Sequence, residues 1–420
     1  MDETLTDILF VHQNMPGQFR HLAPELVRSG RFRVFFLTCR QGAGMAGVHT
    51  VQYTRPRLEQ RSAEPFARPI ENSMIFGRAV ARAAMDMKRR GINPKLILAH
   101  PGGGEGLFLR DVWPAAKILS YAEYYYQPQG GDIGFDPLFP VTPGCVLASR
   151  AMNANLLLAH EQADVLLAPT QWQKSRHPEL LRDRIEVVFD GIDTDRACPD
   201  PQARFALEDG RVLTAADEVI TYVARNLEPH RGYHVFMRAL PELLARRPCA
   251  TVLIVGETEA GHSPLPRGFP DWKAKMAAEV DLGEAAGRVH HLGKLPYGRY
   301  LDLLRVSSAH VYLTYPFVLS WSCLEAMSAG CVMVASDTPP VREVMRDRRE
   351  GLLVPFFDRE KLLAAIDRAI DDKVLADRLR KGARARVLAD YSLRGCLKRQ
   401  VQLVNDLLDT SVESMMSFVH

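Results

Sequence analysis

Short apolar runs recur along this chain, each closed by polar, Gly or Pro positions, and stretches with helical spacing lie between them. The clearest passage covers residues 309–344. Residues 309–315 are an apolar run of strand length. Residues 320–327 place Leu324 and Met327 on one helical face, with Gly330 as a stop, and 331–335 is a second run that ends in the turn Ser336-Asp337-Thr338-Pro339-Pro340. Strand, loop, helix and strand in that order predict a parallel sheet with crossover helices, whose strands are buried on both faces and therefore read as unbroken apolar runs. Upstream, the same signals predict strands at 8–12, 32–37, 49–53, 96–100, 116–121, 165–168 and 185–189, with helices at 19–28, 70–90 and 146–162. Downstream they predict strands at 219–224, 251–255, 289–292 and 351–354, with helices at 233–244, 272–282, 296–306, 361–370, 376–388 and 393–408.

The two series predict an α/β protein with two Rossmann-like parallel-sheet domains facing a central cleft. A chain of 420 residues also exceeds one ordinary core. Residues 1–195 are expected to form the first domain and 218–388 the second. The polar stretch 196–217, broken by Pro199 and Pro201, is expected to link them. The amphipathic run in 389–420 has two readings. In one it is a terminal helix that crosses back to the first domain, which is favoured because Leu403, Leu407 and Leu408 need one buried face. In the other it is a helix lying on a membrane surface.

Composition removes several function classes. The net charge of +3 with mixed signs carries no nucleic-acid footprint. Seven scattered cysteines without a CxxC pair fit a reducing compartment rather than a zinc nodule or a disulfide framework. The acidic start, MDETLTDILFVHQ, is not a signal peptide, and no stretch reaches the roughly 20 apolar residues of a membrane span. The expected location is the cytoplasm, or the inner face of the membrane through peripheral contact.

Neither GxGxxG nor GxxxxGK[ST] follows a strand, so dinucleotide and P-loop readings lose their main support. Gly102-Gly103-Gly104, directly after the strand at 96–100, lets backbone N–H groups approach a ligand, and the bland alternative is a tight turn. Gly17, in the loop after the strand at 8–12, is a weaker signal of the same kind. His100 and His12 both end strands. Glu105 and Glu123 are candidate ligand contacts or solvated carboxylates, and Tyr124, Tyr125 and Tyr126 form an aromatic wall or an interface patch. The histidines are not grouped with carboxylates at metal-ligand spacing, so no metal site is expected.

Four segments of the second half carry a resemblance: Tyr222-Val223-Ala224-Arg225 with Arg231-Gly232, His291-Leu292-Gly293-Lys294-Leu295, Phe317 to Gly330, and Val334-Ala335-Ser336 with Pro339 and Glu343. In this order and spacing they resemble the donor-binding domain of retaining glycosyltransferases of family 4, which have the GT-B fold. Ala168-Pro169-Thr170 and Asp190-Gly191-Ile192-Asp193 resemble strand ends of the family's first domain.

The resemblance implies a metal-independent transferase that moves a sugar from a nucleotide-diphosphate donor, UDP- or GDP-linked, to a hydroxyl acceptor with retention. The product would belong to polysaccharide, glycolipid or natural-product glycoside synthesis, and no cofactor is implied. Arg225 and Arg231 would meet the diphosphate, helped by the Ser320 and Trp321 amides. Glu325, expected in the first turn of its helix, would accept the ribose hydroxyls, and Gly293 and Lys294 would lie at the base. His100 would stand near the donor sugar, and Gly103, Glu105, Glu123 and Tyr124 near the acceptor.

Two departures stand out. Phe317 replaces the first Glu of the family's Glu-x7-Glu segment, and Arg231 replaces a Lys, exchanging a point charge for a planar fork. A nucleotide-sugar 2-epimerase of the same fold and a non-catalytic sugar-nucleotide-binding protein are the competing readings, the second kept open by Phe317.

Overall fold

The computed structural model describes residues 5–58, 64 and 66–416, with side chains as far as 409. The chain divides into two units. One holds the residues up to Gly191 together with those from Arg394 on, and the other is Ile192–Leu393.

The first unit is built on seven parallel strands: β1 (Thr6–Val11), β2 (Phe32–Thr38), β3 (His49–Gln52), β4 (Leu96–Ala99), β5 (Lys117–Tyr121), β6 (Val165–Ala168) and β7 (Ile185–Val187). Their order is β3-β2-β1-β4-β5-β6-β7. Ile8 pairs with Val34 on one side and Leu96 on the other. Residues 8–11 are fully buried, which is why the run shows no alternation. The strand order reverses between β1 and β4. The residues just beyond those two strands therefore flank the crevice in which open α/β sheets take ligands.

The predicted helix at 146–162 is two helices, Pro143–Met152 and Ala154–Glu161. Asn153 interrupts them because its side chain is committed elsewhere. It accepts from the Tyr126 N–H at 2.9 Å and donates to the Tyr126 carbonyl at 2.7 Å. Thr142 caps the first helix by accepting from the Cys145 N–H. The helix Leu393–Met416 buries Cys396, Gln400, Val404 and Leu407. Gln400 donates to the Phe189 carbonyl and Arg31 to Asn405.

The second unit has six parallel strands: β10 (Val219–Asn226), β11 (Thr251–Glu257), β12 (Val289–His291), β13 (Ala309–Tyr312), β14 (Met333–Ser336) and β15 (Leu352–Val354), preceded by an antiparallel pair, β8 (Phe205–Ala206) and β9 (Val212–Leu213). The pair lies inside the stretch read as a linker, and strands of two residues leave no periodic signal there. The sheet order is β12-β11-β10-β13-β14-β15, which reverses between β10 and β13. The expected turn at 336–340 runs straight into a helix, Pro339–Val344, with proline at its first position, where the missing N–H costs nothing. Among the described residues no helix is long and apolar enough to cross a membrane.

Candidate functional site

In the second unit the switch point brings together the end of β10 and the loop after β13. Arg225 is exposed at the end of β10 and makes no side-chain hydrogen bond or ion pair among the described residues. Arg231 follows in a short 3-10 turn and is half-buried. Its Nη1 donates to Thr314 Oγ1 at 3.2 Å and to the Val318 carbonyl at 3.1 Å, and its guanidinium carbon lies 5.9 Å from the Phe317 ring centroid. The Tyr222 hydroxyl donates to the Arg231 carbonyl at 2.6 Å. Arg231 is thus a brace for the loop that leads into the helix Trp321–Ala329, as well as a cation at its mouth.

Two expectations at this helix change. Ser320 donates its N–H to the Tyr312 hydroxyl at 3.1 Å, so that amide is committed. The Cys323 N–H is committed as well, donating to the Ser320 carbonyl at 3.2 Å. Glu325 is the fifth helical residue and therefore sits in the second turn, not the first. It is no cap. Its two oxygens accept from the Tyr297 and Tyr300 hydroxyls at 3.0 and 2.9 Å. Burial and the neighbouring carboxylate push both phenols up, so they remain donors. These tyrosines were not singled out in the sequence, although their i, i+3 spacing marks one helical face. Gly293 forms an exposed turn whose carbonyl accepts from the Gly256 N–H at 3.1 Å. Lys294 is exposed and 3.7 Å from Glu257.

In the first unit His12 and His100 stand beyond β1 and β4 with ring centroids 4.6 Å apart. The Asn14 N–H donates to His12 Nδ1 at 2.9 Å, which assigns the proton to Nε2, 2.9 Å from Gln18 Oε1. Gln18 then donates to Glu123 Oε1 at 2.9 Å. The Gly102 N–H points to His100 Nδ1 at 3.3 Å, so His100 Nε2 donates to Glu123 Oε2 at 3.2 Å. One carboxylate thus terminates two chains of donors.

Partial burial pushes the Glu123 carboxyl up, but the hydrogen bond and charge of His100 outweigh it and hold the group at about 2. Burial pulls His100 down, and Glu123 reverses that to a net rise. Burial, then the charge of His100, lowers His12 to about 3. The Tyr121 ring stacks on His100 at 5.6 Å and its hydroxyl donates to Asp190 at 2.7 Å.

Gly17 has φ +50°, and a Cβ there would lie 2.5 Å from the His12 ring, so this glycine serves the close approach of backbone to imidazole. Gly104 has φ +112°, and a Cβ would lie 2.2 Å from the Ser73 carbonyl oxygen. Glu105 is 1% exposed and accepts from the Gly103 N–H at 2.8 Å. Its Oε1 has no hydrogen-bond partner among the described residues, and burial raises its pKa. Glu105 is thus buried beneath the glycine loop and bonded to it.

Beside these groups is a cavity of about 320 Å³ whose lining includes Gly103, His100, Glu123, Tyr124, Tyr126 and Asn155. The Tyr124 hydroxyl donates to Asp132 at 2.9 Å and its ring meets Tyr126 edge-on. Tyr125 turns away to His177. A second cavity, about 430 Å³, is lined mainly by Met74, Met85, Phe108 and Val112. The smaller one is the candidate site because titratable groups converge on it. Among the described residues no group of three or more His, Cys, Asp or Glu is placed to hold a metal ion.

Comparison with known proteins covers both units. Residues 30–197 match the family described as glycosyl transferase family 4 group, and residues 208–386 match glycosyl transferases group 1. The chain is 33% identical over 174 residues to a phosphatidyl-myo-inositol mannosyltransferase of Mycolicibacterium smegmatis, a match that covers 40% of this chain and 39% of that relative. Among solved structures, sucrose-phosphate synthase from Thermosynechococcus elongatus superposes with a TM-score of 0.72 at 18% identity, over 96% of this chain and 100% of that one. The Anabaena protein Alr3699/HepE, in complex with UDP and glucose, gives 0.68 at 15% identity, over 95% and 99%. At such identities the structural likeness is one of fold.

Proposed function

Since the chain belongs to the group 1, family 4 glycosyl transferases, with the GT-B fold, we propose that it moves a sugar from a nucleotide-diphosphate donor to a hydroxyl acceptor with retention. The observation that carries the reading is the switch point of the second unit. A guanidinium fork, an exposed arginine and a helix start meet there, and a tyrosine-held carboxylate lies one turn further along the helix.

Glycosyl transfer leaves negative charge on the departing diphosphate, and fixed donors aimed at that charge lower the barrier. Arg231 is pre-set by Thr314 and Val318, so little reorganisation accompanies the reaction. Arg225 adds to it. Glu325, with both oxygens oriented, takes the ribose hydroxyls, and Gly293 and Lys294 border the base. In the first unit the 320 Å³ cavity takes the acceptor, and its volume suits a single hydroxylated ring. The inositol-based substrate in the mannosyltransferase relative's name supports a polyol there. His100, its ring fixed by Glu123, is that unit's catalytic candidate. Substitution on one face, with the leaving phosphate taking the acceptor proton, accounts for retention without a carboxylate nucleophile.

The test incubates the full chain with a panel of UDP- and GDP-sugars and hydroxyl acceptors, follows release of nucleoside diphosphate, and reads the product anomer by proton NMR. Diphosphate release from one donor with an unchanged anomer is the expected result. Interconversion of the donor sugar without transfer would replace this reading with the epimerase, and inertness toward every donor would refute both.

A further inference from the structure

The amino edge of the second unit's sheet carries a cavity that sugar transfer does not use. It has a volume of about 350 Å³ and lies beside the residues that lead into β10 and β13. Its lining includes Ala216, Ser308, Ala369, Lys373, Ala376 and Arg380. β10 runs from this edge to Arg225 at the other, about 20 Å away at the rise of a strand.

Lys373 and Arg380 belong to the helix Lys373–Asp390. Two turns separate them, so they share a face about 10 Å apart along the axis, with the small Ala376 between. Lys373 is exposed and Arg380 half-buried. Burial pushes the Cys331 thiol up to about 12 and the Arg380 charge opposes that rise, so the guanidinium lies within electrostatic reach of a fully buried group. Neither cation has a hydrogen bond or ion pair among the described residues. The carboxylates nearest in sequence have other partners. Asp217 accepts from the Thr214 N–H and hydroxyl at 2.8 and 2.9 Å. Glu218 and Asp371 both pair with Arg247, and Asp377 pairs with Lys381 at 2.6 Å. Asp372 caps its helix through the Leu375 N–H at 2.9 Å. The Ser308 hydroxyl is spent too, donating to the Asp217 carbonyl at 2.8 Å.

The lining therefore holds two positive charges and no carboxylate to match them. Cations that face one space repel each other, and a dianion between them removes that repulsion. A phosphate suits this pair, because arginine offers a planar fork to two oxygens and lysine adds a point charge. The alanine side chains leave space beyond a phosphate for a body of a few carbon atoms.

We propose that this cavity is a second anion site, which binds a small phosphate monoester between Lys373 and Arg380. The site is separate from the diphosphate reading above, since neither Arg225 nor Arg231 takes part in it.

The full chain is titrated calorimetrically with glycerol 3-phosphate and with inorganic phosphate. The ester is expected to bind about threefold more tightly than the free ion, through the carbon body that the alanines cover. Arg380→Gln should weaken the ester about tenfold and Lys373→Gln about threefold. Arg225→Ala should leave it within about twofold. Lys373 is exposed, so its variant reads the site even where Arg380→Gln disturbs the fold. If the ester does not bind, or binds with no regard to Lys373, the inference is overturned. A loss that follows Arg225 instead places the ester at the donor end and overturns it equally. Inorganic phosphate that binds as tightly as the ester overturns the monoester assignment. None of these outcomes touches the transferase reading, which is tested with nucleotide donors.

Discussion

At the carboxyl end of the first unit's sheet, Gln18 and His100 converge on one carboxylate, Glu123, and backbone amides fix both imidazoles. At the same place in the second unit, one guanidinium, Arg231, holds a loop by a hydroxyl and a carbonyl. The two switch points share a topology but use it differently. The first is a closed network of titratable groups that orient one another, where protonation states are set internally. The second is a cation with a mechanical duty, beside the start of the helix Trp321–Ala329. Topology supplies the location, and the residues that happen to end the strands decide whether it handles protons or phosphate charge.

The contrast breaks most sharply at the brace. Arg231→Ala removes a donor from the leaving group and frees the loop at once, so donor turnover should fall about 10²–10³-fold, measured as diphosphate release. Arg231→Lys should recover only part, because an ammonium cannot reproduce the planar fork. In the first unit Glu123→Ala leaves the Gln18 and His100 donors unpaired. Turnover should drop by about one to two orders of magnitude, while diphosphate affinity stays within about twofold. An equal loss of both would mean that the network acts on the fold rather than on the acceptor side.

A smaller effect is shared by the two units and is read through pH. Burial holds His12 and His160 at about 3 and His177 at about 4 in the first unit. In the second it holds His310 at about 3 and His291 at about 4. Each stays neutral when folded but binds a proton below about pH 6.5 when unfolded. Their stabilisation is therefore complete above pH 6.5 and lost as the pH falls toward 4. Urea midpoints should decline from pH 7 to pH 5 as these groups, together with His290, which burial also lowers, take up protons on unfolding. The smallest change is at Lys294, which is 76% exposed and 3.7 Å from its partner. Lys294→Ala should alter donor affinity less than about twofold, as exposed ion pairs contribute little.

The strands of both sheets were legible because parallel strands buried on both faces read as plain apolar runs, and the strand ends singled out His100 and Glu123, whereas Arg225 and Arg231 came from the family resemblance. What remained hidden depended on partners distant in sequence. Asn153 splits a helix only because Tyr126 needs its amide. The Ser320 N–H is spent on Tyr312, and Glu105 faces inward because Gly103 claims it. Nothing local to Glu325 shows that Tyr297 and Tyr300 hold both of its oxygens.

The measurement that bears most directly on this account is calorimetric titration of the full chain with UDP and with GDP, repeated on Arg225→Ala. Arg225 is exposed and braces nothing, so its loss tests charge without disturbing the loop. The account predicts that one diphosphate binds in the micromolar to millimolar range and that the variant binds it about tenfold more weakly, a charge-assisted hydrogen bond's worth. If neither nucleotide produces heat, or if the bound nucleotide is indifferent to Arg225, the donor site at this switch point is contradicted.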